Sequence, residues 1–201
     1  MSTSVVAVHP DPASLPVGQQ ERRERIVRAA IALLEHGGEY DAIQMRDVAQ
    51  EAGVALATVY RYFTSKEHLY AAALLDWATN FAADRQSKRD HRSDEARLRA
   101  LMRRAVRAFE RYPQMMRAEI VLESSTDPNA RALFDQFAKL NVGVLTSALS
   151  STDPETAVGI VETANSVLAT RLRSWALGRI TISEVDRSVQ RTIDLIFERR
   201  S

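Results

Sequence analysis

Between Gln44 and Leu69 the chain sets two short amphipathic patterns on either side of one glycine, and few folds accept that combination. Met45, Val48, Ala49 and Ala52 recur at three- and four-residue spacing, so they share one face of a 3.6-period helix. Gly53 follows where that helix has to reverse, because glycine enters the left-handed backbone region without a side-chain clash. Beyond Val54, the segment from Ala55 to Phe63 turns Val59 and Phe63 inward and leaves Leu56, Ala57, Thr58, Tyr60, Arg61 and Tyr62 largely outward. This is the plan of a helix-turn-helix, whose second helix enters the major groove and presents its first residues to base edges. Many packed helix pairs share the pattern, so it constrains the fold more than the function.

The rest of the chain is helical by the same criteria, and the spacing predicts nine helices in an all-α fold. Residues 1–18 carry His9-Pro10, Asp11-Pro12 and Leu15-Pro16 without apolar periodicity and read as a flexible arm. Residues 19–66 form a three-helix head, opened by a helix over Gln19 to His36 that places Ile26, Ala29, Ala30, Leu33 and Leu34 on its core face and stops at Gly37-Gly38. Residues 67–201 form the body. Ser65 is the expected N-cap of a helix running toward Ser87, and Pro113 interrupts the pattern that begins near Leu98. Asp127-Pro128 and Asp153-Pro154 each pair a capping carboxylate with proline at the first helical position, and Thr181 with Glu184 has capping-box spacing.

Bulk properties narrow the function classes. At 201 residues with 45% apolar content the chain can bury a substantial core, most simply in one small and one larger domain. The absence of cysteine excludes disulfide scaffolds, thiolate metal sites and cysteine nucleophiles, and fits a reducing, cytoplasmic setting. No signal peptide or eighteen-residue apolar run is present, so no membrane association is expected. The four histidines, His9, His36, His68 and His91, are scattered, and no nucleophile elbow or metal-ligand cluster accompanies them; neither enzyme activity nor a cofactor or metal is expected. Net charge is only +1, so any grip on nucleic acid depends on local charge and a defined site.

Gly53, Val54, Thr58, Tyr60, Tyr62, Phe63, Lys66, Glu67 and Leu69, followed by a long helical chain, resemble the signature of TetR-family transcriptional regulators. Within that family the runs Gln44 to Val54, Tyr60 to Phe63 and Ser174 to Arg179 are similar to the KstR-like repressors of steroid catabolism. The resemblance implies an N-terminal helix-turn-helix head joined to a C-terminal ligand-binding and dimerisation bundle. It implies a repressor that binds a near-palindromic operator on double-stranded DNA as a homodimer and is released by a small apolar effector, such as a steroid or fatty acyl-CoA thioester. A ligand-independent repressor or activator is the alternative.

For the DNA face, arginine at Arg46 suits bidentate guanine readout. Gln44 departs from the threonine or serine common in the family; glutamine caps poorly, and its amide is free to reach phosphate. Leu56 and Ala57 lead the recognition helix, so base contact there would be apolar, to thymine methyls. Thr58, Tyr60, Tyr62 and Lys66 resemble the family's phosphate-clamping set, while Arg61 suits either base or phosphate.

In the body, Met102, Phe109, Met115, Met116, Phe134, Phe137, Leu168, Leu172 and Trp175 read by themselves as ordinary core. The resemblance instead implies an effector pocket walled by these side chains, with Asn141, Thr163 and Asn165 as orienting polar groups. It further implies that Val189, Ile193, Ile196 and Phe197 of the last helix pair with a second subunit. Arg97, Arg99, Arg103, Arg104, Arg107 and Arg111 lie opposite the apolar stripe of their helix. Two readings are open: a solvated face paired to Glu95 and Glu110, or a grip on the phosphates of a coenzyme A thioester.

Overall fold

Helices account for all the regular structure of the computed structural model, which describes residues 14–83 and 93–198. In chain order they are α1 (Val17–Glu35), α2 (Met45–Glu51), α3 (Leu56–Tyr62), α4 (Lys66–Ala83), α5 (Asp94–Arg111), α6 (Pro113–Glu123), α7 (Pro128–Thr146), α8 (Pro154–Ala176) and α9 (Ile182–Glu198). Most of the arm, with His9, Pro10 and Pro12, and the expected extension of α4 to Ser87 lie outside the described residues. Helix α1 starts at Val17, ahead of the expected Gln19, because Pro16 takes an extended N-cap conformation and its carbonyl accepts from Gln19 and Gln20.

The helix ends follow local chemistry. Gly53 sits at φ +63°, and the N–H groups of Gly53 and Val54 close on the carbonyls of Gln50 and Ala49 in a Schellman turn. That turn separates α2 from α3. Ser65 caps α4 by accepting the His68 N–H at 3.0 Å. Pro113 starts α6 rather than kinking a longer helix, since a ring without N–H is tolerated only in a first turn. At α9 the capping box is complete, with Glu184 accepting from Thr181 N–H at 2.7 Å and Thr181 Oγ1 accepting from Glu184 N–H at 3.3 Å.

The chain divides into two compact units, Met1–Ala78 with Ala118–Phe137, and Thr79–Arg117 with Ala138–Ser201. In the first, Ile26, Leu34, Val48, Val59, Phe63, Leu69 and Leu74 are buried, each at about 1.5–3 kcal/mol of transfer free energy. Phe63 closes this core beneath the Arg23 guanidinium, 5.0 Å from its ring centre. In the second, α5, α8 and α9 pack together around Leu98, Met102, Val106, Val161, Leu172, Val185 and Ile193.

Candidate nucleic-acid interface and the helical body

Helix α3 is too short to be stable alone and is held by Val59, which is fully buried, and by the Phe63 anchor at its C-cap. Its opposite face is bare. Leu56 is 41% exposed and Tyr60 52% exposed, one helical turn apart, and Ala55, Ala57 and Arg61 are also exposed, whereas Thr58 is half-buried. Arg46, at the start of α2, is 71% exposed and lies 3.7 Å from Asp47. Gln44 is exposed; the reciprocal half of its capping box is the Asp47 carboxylate, which accepts the Gln44 N–H at 2.7 Å.

Two expectations for this face need correction. Tyr62 was expected outward but is only 4% exposed, because α3 ends there and its ring falls on the Val59 side; its hydroxyl accepts from Arg61 at 3.2 Å. Lys66 was expected to reach phosphate. Its ammonium instead donates to the carbonyl of Tyr40 and, at 3.5 Å, to that of Asp41, and it sits 4.3 Å from the Tyr40 ring centre. Burial lowers its pKa, against the pull of Asp41, Glu67 and Asp47. Tyr40 is itself buried edge-on against Tyr70, so Lys66 staples the loop between α1 and α2 to the start of α4.

The Asp127-Pro128 pattern predicts a helix cap and nothing more. Asp127 Oδ1 does accept the N–H of Asn129 at 2.8 Å and of Ala130 at 3.2 Å. Its Oδ2, however, takes the hydroxyls of Ser65 at 2.5 Å and Thr64 at 3.2 Å, and Asn129 Nδ2 donates to Thr64 Oγ1 at 3.3 Å. Burial alone would raise the Asp127 pKa, but the Ser65 hydroxyl and the two backbone donors outweigh it and hold it below the usual carboxylate range. The junction of α3 and α4 is thereby tied to the start of α7, and no local pattern in the sequence announces a bond across that separation.

The body residues divide between the two units. Met102, Phe109, Met115, Met116, Leu168 and Leu172 are buried in the second, with Trp175 and Asn141 half-buried. Phe134 and Phe137 belong to the first, where their rings pack 5.7 Å apart. Trp175 lines an open cleft with Pro113, Arg117, Ala176, Leu177 and Gly178. Val189 and Ile193 are a further correction: expected at a subunit interface, both are fully buried in the chain's own α5, α8 and α9 core. Ile196 and Phe197 are half-buried, and the bare apolar positions on these helices are Val158 and Leu195. A second cleft between α8 and α9 is lined by Val167, Thr170, Arg171, Ser188, Arg191 and Leu195 among others.

Most of the α5 arginines are committed within the protein, so the reading as a solvated face holds only in part. Arg97 pairs with Asp94 and donates to Ala148 O at 2.8 Å and Ser150 at 2.9 Å. Arg99 pairs with Glu95 at 2.6 Å and Asp194 at 2.7 Å. Arg104 donates to Phe81 O and lies over that ring, and Arg111 lies over Tyr112. Arg103, 3.9 Å from Asp186, and Arg107 stay exposed. Asp94 also binds Ser151 N–H at 3.0 Å and Thr152 Oγ1 at 2.7 Å. Burial pushes its pKa up, but these donors and Arg97 bring it below the ordinary value.

A helical chain whose head carries a helix-turn-helix with a bare second helix has the architecture of a DNA-binding regulator. Residues 26–73 match the bacterial regulatory proteins of the tetR family, and residues 92–196 match the tetracyclin repressor-like C-terminal domain. The chain belongs to the TetR family of transcriptional regulators. It is 33% identical over 181 residues to the HTH-type transcriptional repressor KstR of Rhodococcus jostii (strain RHA1), covering 89% of this chain and 84% of that one. KstR of Mycobacterium tuberculosis (strain ATCC 25618 / H37Rv) is 31% identical over 180 residues, with 89% and 81% covered. Among solved structures, a TetR transcriptional regulator from Rhodococcus sp. RHA1 superposes with TM-score 0.75 at 24% identity, over 91% of this chain and 98% of the other. FadR from Bacillus subtilis, solved in complex with stearoyl-CoA, gives TM-score 0.61 at 16% identity over 85% and 96%. Among the described residues no helix is long and apolar enough to cross a membrane.

Proposed function

We propose that this protein is a ligand-responsive transcriptional repressor that binds a near-palindromic operator as a homodimer and leaves it when a small apolar effector binds the body. The observation that carries the reading is the bare α3 face, Leu56 to Arg61, beside the exposed Arg46, on a chain alignable over most of its length with named repressors. Gln44, Arg46, Leu56, Ala57, Thr58, Tyr60 and Arg61 make the DNA contacts. The exposed Val158 and Leu195 of α8 and α9 pair the two copies, as a two-fold protein requires for a palindromic site. The FadR likeness, solved with stearoyl-CoA, supports a fatty acyl-CoA thioester as the effector, and the resemblance to KstR-like repressors of steroid catabolism supports a steroid one.

Full burial of Met102, Met115 and Met116 favours one second reading, a regulator without ligand control. Fluorescence anisotropy of the full chain on DNA flanking its own gene, in a salt series with and without steroid and fatty acyl-CoA thioesters, separates the two. Release by one thioester class supports induction. Selective binding that no thioester alters supports the ligand-independent regulator.

A further inference from the structure

The residues that open α3 carry no side-chain hydrogen-bonding group ahead of Thr58. Ala55, Leu56 and Ala57 offer only methyl and methylene groups, and all three are exposed. Of the cations beside them, Lys66 is turned onto the Tyr40 and Asp41 carbonyls, and Arg61, exposed one turn further on, lies 5.1 Å from the Tyr62 ring centre and gives one bond to its hydroxyl. Arg46, on the neighbouring helix, has a side chain 71% exposed. Leu56 and the ring of Tyr60, one turn apart, share the bare side.

A major groove presents one apolar feature to such a face, the C5 methyl of thymine. Resting on the DNA-binding reading above, we propose that sequence discrimination by α3 is made through thymine methyl groups packed against Leu56 and Ala57, so that each operator half-site carries thymines at the positions this turn covers. Arg46 adds a purine contact at the flank. A methyl that leaves water against Leu56 contributes about as much as one buried methylene, so its loss weakens binding roughly fourfold per half-site and roughly sixteenfold when both half-sites are changed.

The test needs no destabilised protein, because the perturbation is in the DNA. A binding site is selected from random DNA with the full chain, and each thymine is replaced in turn by deoxyuridine, which removes only the methyl group. The expected result is a pair of symmetric positions where this replacement weakens binding roughly fourfold each with the wild-type chain, and less than about 1.5-fold with Leu56→Ala. Uniform indifference to deoxyuridine, a loss that Leu56→Ala leaves unchanged, or a guanine-rich consensus whose affinity collapses with Arg61→Ala would overturn the proposal while leaving DNA binding intact. Failure to enrich any sequence would overturn the DNA-binding reading itself, and this inference with it.

Discussion

Replacing Asp127 tests whether a single carboxylate holds the α3–α4 junction to the start of α7. The side chain makes two kinds of bond. Oδ1 caps α7, a role typically near 1 kcal/mol, and Oδ2 accepts two hydroxyls, of which the 2.5 Å bond from Ser65 is charge-assisted and of order 1.5–3 kcal/mol. Ser65 and Thr64 keep some solvent access, so the lower end of that range applies. Asp127→Ala is therefore expected to cost about 2–3 kcal/mol. Asparagine caps as well as aspartate but lacks the charge, so Asp127→Asn should cost only about 1 kcal/mol. In a chain this long those figures correspond to melting-temperature drops of roughly 4–12 °C and 2–4 °C. The assay is urea unfolding followed by tryptophan fluorescence, at one fixed protein concentration because the proposed self-association would shift the apparent midpoint. A Ser65→Ala, Asp127→Ala cycle should show coupling of about 1 kcal/mol. Equal losses for the alanine and asparagine variants, or no coupling with Ser65, would refute the argument.

Asp94 and Asp127 are both held below their ordinary pKa, so the unfolded chain binds protons more readily than the folded one. Their stabilisation should be complete above about pH 4, the unfolded value, and be lost as pH falls toward the folded values; urea midpoints measured from pH 6 downward should drop below pH 4, less steeply for Asp94→Asn. Gly53→Ala meets no atom within 4 Å, so its cost should be the left-handed backbone alone, about 1–2 kcal/mol by thermal unfolding; a cost near zero would mean the turn relaxes. In the proposed pairing through α8 and α9, Leu195→Glu puts a charge at a side chain that is 52% exposed, so light scattering should report a monomer with unchanged helical circular dichroism; a dimer that persists would place the subunit contact elsewhere.

What could be read without a structure was everything decided within one or two helical turns. The Gly53 reversal, the Ser65 cap, the Thr181–Glu184 box and the prolines that start α7 and α8 involve neighbours three or four residues apart, and each forms as the spacing requires. The exposed face of α3 was legible at Leu56 and Tyr60 for the same reason. It failed at Tyr62, where a seven-residue helix ends and periodicity no longer assigns a side. Beyond the i, i+4 pair of Arg99 with Glu95, partnership was not legible. A helical wheel draws the arginines of α5 as one outward charged band, yet Arg99 finds its acid on α9 and Arg97 its carbonyl beyond α7. The same wheel gives α9 an apolar stripe but cannot say whether Val189 and Ile193 close their own core or another copy's. Amphipathicity specifies that a face will be covered, and only the packing of distant helices decides by what.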